Sequence, residues 1–269
     1  MIRFDSVSKI YPDGTKAVDD FSFEISSHQL VVLLGSSGCG KTTLMRMVNR
    51  MVDPTSGTVY IDDEPVNSLE PVALRRRIGY VMQSGGLLPH RKVVDNVATV
   101  PLLSGADAKQ ARVRAMELLE TVGLDADTVA LRYPSQLSGG QRQRVGVARA
   151  LAAEPNVLLM DEPFGAVDPV VRAELQTELL RLQSELSKTI LFVTHDVDEA
   201  FTLGQRVLIL QQGAQIVQAG TPDEILLNPA NDFVAEFIGG ARRRLTTEVR
   251  HGRQVAVDGQ GRLVGVVSA

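Results

Sequence analysis

At 269 residues, with 44% apolar and 22% charged residues, the chain has ordinary globular makeup and can hold one large core or two small ones. A net charge of −4 argues against a general nucleic-acid binder, and a single cysteine, Cys39, excludes an intramolecular disulfide and suits a reducing cytosol. No signal peptide opens the chain and no apolar run approaches the ~18–20 residues of a spanning helix, so any membrane role is expected to come through a partner.

Residues 2 to 26 read as an antiparallel β region, with Phe21, Phe23 and Ile25 alternating with Ser22, Glu24 and Ser26. Pro12-Asp13-Gly14 marks a turn. Tyr11, just before it, is expected to stand exposed at a strand end, where an aromatic ring can stack on a base; an isolated tyrosine is otherwise more often packing. Leu30 to Leu34 is a fully apolar run, the pattern of a buried strand. It breaks into Gly35-Ser36-Ser37-Gly38-Cys39-Gly40-Lys41-Thr42, which fits G-x-x-x-x-G-K-[ST] without a mismatch, and a helix-compatible stretch runs from Thr42 through Thr43 to Asn49.

Glycines 35, 38 and 40 let the backbone curl so that successive N–H groups point at anionic oxygens, and the helix start adds the positive end of its dipole. Lys41 is expected to reach the β- and γ-phosphates and the Thr42 hydroxyl to ligate Mg²⁺. Cys39 occupies a position that needs a small side chain and is given no catalytic role. A glycine turn that binds nothing is the competing reading, and the buried strand in front of the loop disfavours it. The chain is expected to bind a nucleoside triphosphate.

Further strands are expected at Thr58–Ile61 and from Ile78 to Met82, with Gln83 at the end of the latter. Ser84 to His90, punctuated by Gly85, Gly86 and Pro89, reads as a loop suited to movement. Residues 93–152 carry little strand signal. Ala115, Leu118, Leu119 and Val122 share a helix face, Ser138-Gly139-Gly140-Gln141 opens another helix, and Val145, Ala148 and Leu151 share a face of it. Residues 85–150 thus read as a helical subdomain inserted into an α/β core.

That core resumes with the apolar Asn156–Met160, ending in Asp161-Glu162-Pro163. Residues 169–187 form an amphipathic helix with Val171, Leu175, Leu179, Leu182 and Leu186 on one side; Thr189–Val193 is another buried strand, ending in Thr194-His195-Asp196. Beyond it come a short helix, strands at 206–210 and 215–219, and helical pieces up to Gly239. Strands alternating with helices imply a mostly parallel sheet covered on both faces. From Ala241 the tail carries arginines 242, 243, 244, 250, 253 and 262 against Glu248 and Asp258, which leaves it at +4 and residues 1–240 at −8. Such a segment is more often a solvated face than a membrane-binding one.

Gln83, Asp161, Glu162, His195 and the P-loop all stand at carboxyl ends of expected core strands, the edge where parallel sheets bind ligands. An Asp after a buried strand holds Mg²⁺ in P-loop NTPases, and an adjacent Glu can polarise the attacking water. An acidic pair capping a strand by chance is the bland alternative, weakened by the P-loop.

With these motifs in place the chain resembles the ATP-binding subunits of ABC transporters over residues 1–239. Gly35–Thr42 matches Walker A and Val157–Glu162 matches Walker B. Leu137-Ser-Gly-Gly-Gln-Arg-Gln-Arg144 matches the ABC signature, which other P-loop ATPases lack. Gln83 matches the Q-loop, His195 the switch histidine and Tyr11 the adenine-stacking aromatic. Phe164-Gly-Ala-Val-Asp168 stands where the family has Ser-Ala-Leu-Asp, with Gly165 and Val167 as departures. The stretches Gln83–Pro101, Thr194–Phe201 and Gly220–Asn231 resemble the importer branch for quaternary amines: glycine betaine, proline betaine, carnitine and choline. Importers of polyamines, sulfonates or metals are the nearest rivals. A non-transport ABC ATPase is disfavoured by single copies of each motif and no coiled coil, and a P-loop kinase or switch GTPase by the signature and His195.

The resemblance implies a P-loop NTPase (RecA-like) α/β core with an antiparallel β subdomain and an inserted helical subdomain. It also implies two copies, or paired ATPase subunits, head to tail with two ATP molecules between them. Ser138, Gly139, Gly140 and Gln141 of one copy would face the γ-phosphate held by the other. Within a site it gives Thr42, Gln83 and Asp161 to Mg²⁺, Glu162 to the attacking water and His195 to the γ-phosphate. Gln83 would also begin the loop facing a transmembrane permease, served in turn by a substrate-binding protein, at the cytoplasmic face of the membrane. Val255–Val267, apolar residues alternating around a Gly259-Gln260-Gly261 turn, resembles one hairpin of a CBS domain, so the tail is expected to be a remnant or a shortened domain.

Overall fold

The computed structural model describes residues 1–239 except Ser84 and Ala166, and 246–250, 253–257 and 263–266 of the tail. Alternation builds the first layer. Along β1 (Ile2–Ile10) and β2 (Lys16–Ile25) the residues Ile2, Phe4, Val7, Val18, Phe21 and Ile25 are buried, and the strands pair antiparallel. Six consecutive buried residues make β3 (Leu30–Gly35), which leads through the glycine loop into α1 (Lys41–Val48). β4 (Ser56–Ile61) returns to β1, and β5 (Glu64–Pro65) completes a four-stranded sheet in the order β2-β1-β4-β5. Glu70 then starts α2 (Pro71–Arg76), its carboxylate accepting the N–H groups of Val72 and Ala73, before β6 (Ile78–Val81).

Between β6 and the next strand the described residues are helical: α3 (Val93–Val97), α4 (Thr99–Leu103), α5 (Ala108–Thr121), α6 (Ala126–Val129) and α7 (Gly139–Leu151). The expected apolar faces are buried, Ala115, Leu118 and Leu119 on α5 and Val145, Ala148 and Leu151 on α7. The core resumes with β7 (Val157–Asp161), α8 (Pro169–Leu186), β8 (Thr189–Thr194), α9 (Val197–Leu203), β9 (Arg206–Gln211) and β10 (Gln215–Gly220), then α10 (Pro222–Leu227) and α11 (Asp232–Phe237). On α8 Leu175, Leu179 and Leu182 are buried and Val171 half-buried, while the Leu186 side chain lies outside the described residues.

The second sheet runs β10-β9-β3-β8-β7-β6, parallel throughout except for β10 at one edge. Its period of two sorts side chains into separate cores. Leu30, Val32, Leu34, Leu158, Met160, Ile190 and Phe192 meet the helices, whereas Val31, Leu33, Val157, Leu159, Leu191 and Val193 meet α1 and the four-stranded sheet. Strands buried on both faces read as unbroken apolar runs for this reason.

The loop after β6 is tied to side chains of other elements. Arg149 donates to the carbonyls of Gly86 (2.6 Å) and Gly85 (2.9 Å), and the buried Asn96 amide donates to the carbonyls of Leu88, Arg91 and Lys92. Glycine and proline punctuation announces the loop but says nothing of side chains pinning it from elsewhere. In the tail the expected hairpin pairs β12 (Arg253–Val257) with β13 (Leu263–Val266), and β11 (Thr246–Arg250) adds a third antiparallel strand beside β12. Residues 246–249 are all exposed, so no apolar alternation marks the added strand. The Gly259-Gln260-Gly261 turn and Arg242, Arg243, Arg244 and Arg262 lie outside the described residues.

Candidate functional site

The loop from β3 to α1 is held from two sides. The Cys39 carbonyl accepts the Ala214 N–H at 2.7 Å, and a Cβ added to Gly40 would lie 2.4 Å from the Ala17 carbonyl oxygen. Gly40 also has φ 113°, and Gly38 φ 79°, left-handed conformations that a side chain resists. Cys39 is buried in the core beneath, while Ser36, Ser37 and Gly38 form an exposed rim. Lys41 is buried, its Nζ donating to the carbonyls of Gly35 (2.7 Å) and Ser36 (2.8 Å). The loop thus wraps an ammonium group, and its N–H groups lie at the start of α1, an arrangement suited to an anion. Thr42 and Thr43 are half-buried behind it.

Strand register assembles the rest. β7 and β8 pair with Asp161 opposite Val193, so Glu162 and His195, just beyond, fall side by side. β6 and β7 pair with Val81 opposite Met160, so Gln83 and Glu162 both stand two residues past a matched pair. The side chains close accordingly. Glu162 Oε2 accepts from Gln83 Nε2 at 3.1 Å, and Glu162 Oε1 lies 3.1 Å from His195 Nδ1. Glu162 has φ 44° and donates its N–H to Val193 O at 2.9 Å. A left-handed non-glycine residue costs roughly 1–2 kcal/mol, and such strain concentrates where a side chain must be aimed.

Asp161, next to it, turns the other way. Its Oδ1 accepts the Thr42 hydroxyl at 3.1 Å and its Oδ2 lies 3.4 Å from the Tyr80 hydroxyl. Burial, and then the Asp161 charge, push the Tyr80 phenol above its usual pKa, so Tyr80 stays a proton donor to Asp161. Tyr80 is not among the residues expected at the site. Its signal is nonetheless legible, a polar-tipped aromatic in an apolar strand that ends there. Arg46, Tyr80, Met82, Gln83 and Asp161 line a cavity of about 390 Å³ here. Thr42 and Asp161 offer hard oxygen donors to one point, which fits Mg²⁺, an ion that keeps several waters and takes few protein ligands. Among the described residues no group of three or more His, Cys, Asp or Glu is placed to hold a metal ion.

Two expected parts stand apart. Tyr11 is half-buried rather than exposed, in a turn where its N–H meets Thr15 O and Lys9 lies over its ring. Ser138 is the N-cap of α7, in a reciprocal box: Gln141 N–H donates to Ser138 Oγ (3.2 Å) and Ser138 N–H to Gln141 Oε1 (3.0 Å). Ser138 and Gly139 are exposed, whereas Gly140 is buried where a Cβ would sit 2.5 Å from Val171. Among the described residues no hydrogen bond joins 138–141 to 35–43.

Residues 18–165 match the family model described as ABC transporter. The chain is 52% identical over 242 residues to the glycine betaine/carnitine/choline transport ATP-binding protein of Bacillus subtilis (strain 168), covering 90% of this chain and 63% of that protein. It is 48% identical over 239 residues to the glycine betaine uptake system ATP-binding protein of Escherichia coli (strain K12), covering 89% and 77%. The chain thus spans a little under two thirds of the first relative's length. Among solved structures, a dimeric ATP-binding cassette in a post-hydrolysis state bound to ADP and Pi superposes with a TM-score of 0.75 at 33% identity, covering 82% of this chain and 99% of that one.

Proposed function

Because the chain belongs to the ABC transporter ATP-binding family, we propose that it is the ATP-hydrolysing subunit of an importer of quaternary-amine osmoprotectants. The observation that carries the hydrolytic part is the carboxylate of Glu162 held between Gln83 and His195 beside the P-loop. The named substrates of the two relatives support the transport part.

In this reading the loop N–H groups and Lys41 hold the phosphates, and Tyr11 offers its ring to the base. Thr42 and Asp161, with Gln83 nearby, hold Mg²⁺, which when bound neutralises charge on the phosphate oxygens. Glu162 accepts a proton from the attacking water, and the Gln83 amide and His195 ring keep its carboxylate aimed. A second copy supplies Ser138, Gly139, Gly140 and Gln141 to the γ-phosphate, so ATP joins the two subunits and hydrolysis releases them. No helix among the described residues is long and apolar enough to cross a membrane, and attachment at the cytoplasmic face is through a permease.

The transport reading is tested by reconstituting the chain with its permease and binding protein in liposomes. Glycine betaine, choline or carnitine is expected to stimulate ATP hydrolysis severalfold and spermidine to leave it at the basal rate; stimulation by spermidine alone sinks it. The shared-site reading is tested at Ser138. Alanine there removes a helix cap worth ~0.5–2 kcal/mol, so aspartate, which keeps the cap and adds negative charge, is the cleaner change. Ser138→Asp is expected to bind ATP as the wild type does yet run as a monomer in gel filtration with ATP. An ATP-dependent dimer of this variant defeats the shared site.

A further inference from the structure

Glu199, on α9, is buried and lies outside the constellation at Glu162. Its Oε2 accepts the Thr194 hydroxyl at 2.6 Å, and its Oε1 lies 3.6 Å from Arg172 Nη1. The same Nη1 lies 3.1 Å from Asp196 Oδ2, and the Asp196 N–H donates to Thr194 Oγ1 at 3.0 Å. The residues on either side of His195 therefore belong to one network centred on Arg172. Arg172 sits one turn into α8, four residues after Asp168, which caps that helix; its Nη2 reaches toward the Val167 carbonyl at 3.5 Å. Its Nε is buried without a partner among the described residues.

We propose that Arg172 is a positioning residue for His195, tying the loop that carries the imidazole to the Val167–Asp168 turn at the start of α8. Of the three charged groups only Glu199 is buried, and an ion pair of this kind is a poor way to gain stability. Here the pair flanks the ring that touches Glu162. Burial is the main influence raising the Glu199 carboxyl above the usual carboxylate range, with the charge of Asp196 adding to it; the Thr194 hydroxyl and the Arg172 charge oppose it. Removing Arg172 thus leaves a buried acid without its cation and Asp196 without its anchor, and the loop between them relaxes.

The inference rests on the hydrolytic reading above, and its test separates the two. In ¹⁵N-histidine-labelled protein, Arg172→Gln is expected to shift the ring signals of His195 while those of His90 stay in place. In the same variant kcat for ATP falls about ten- to a hundredfold, the scale of a ~1 Å misplacement, with KM nearly unchanged. Arg172→Lys, which keeps a cation between Glu199 and Asp196, brings kcat back to within about threefold of the wild type, whereas Arg172→Gln/Glu199→Gln, which strands no buried charge but still leaves Asp196 without its anchor, stays as low as Arg172→Gln. Unchanged His195 signals, a parallel rise in KM, or a double variant restored to the rate of Glu199→Gln overturns the proposal. A wild-type protein without ATPase activity overturns the hydrolytic reading instead, and the ring signals still decide where Arg172 acts.

Discussion

Glu162→Gln is expected to bind ATP with near wild-type affinity and to hydrolyse it ~10²–10⁴-fold more slowly, the usual contribution of a positioned general base. Glutamine is nearly isosteric, so its carbonyl oxygen still accepts the Gln83 amide and its NH₂ still faces the His195 ring, the two contacts at 3.1 Å in the wild type. The strained φ of 44° at this position is unchanged by the exchange. Charge and basicity go, and the acceptor facing His195 becomes an N–H donor. Binding without turnover should then trap the ATP-joined dimer, seen as a doubled mass in gel filtration with ATP. Steady-state hydrolysis near the wild-type rate would show that Glu162 is not the base.

Lys41→Ala is expected to weaken ATP binding about ten- to a hundredfold, the range of a charge-assisted hydrogen bond worth ~1.5–3 kcal/mol. Calorimetry reads the affinity directly, and an unchanged value removes the phosphate role from Lys41. A second effect is expected in the free protein. Nζ donates to the carbonyls of Gly35 and Ser36; Ser36 keeps the Cys39 N–H as a donor, so the loss falls on the buried Gly35 contact, at ~1–3 kcal/mol. The melting temperature should therefore fall by a few degrees even without nucleotide. This second loss distinguishes a lysine that also braces its loop from one that only waits for phosphate.

Much of this site is legible in the chain because parallel strands announce themselves. Five unbroken apolar runs end at Gly35, Val81, Asp161, Thr194 and Gln211, and the candidate site is built at the carboxyl ends of the first four. Their pairing is the part that sequence reading lacks. That Gln83 and His195 both meet Glu162, while Asp161 turns to Thr42 and Tyr80, depends on which strands are neighbours and in what register. Ser138 is the reverse case: Ser-x-x-Gln before a helix is the pattern of a capping box, readable but overshadowed by the signature reading. Gly140 is explained by neither the loop chemistry nor propensity, but by the approach of Val171 from α8. Arg149 and Asn96, which pin the loop after β6, act on main-chain carbonyls and leave no pattern at the residues they hold.

β6 is the outermost strand of the parallel sheet and has β7 as its only partner. β3, β7 and β8 are interior, gripped by ladders on both sides. Asp161 ends β7, and Lys41, Glu162 and His195 follow β3, β7 and β8, strands held by two ladders each, whereas Gln83 follows β6, which is held by one. The site behaves like a vice with fixed jaws on three strands and one adjustable jaw, and the adjustable jaw is the one whose far end continues into the pinned loop. Residues 85–92 follow closely on Gln83, whose amide donates to Glu162, so the chain joins that loop to Glu162 through one side chain.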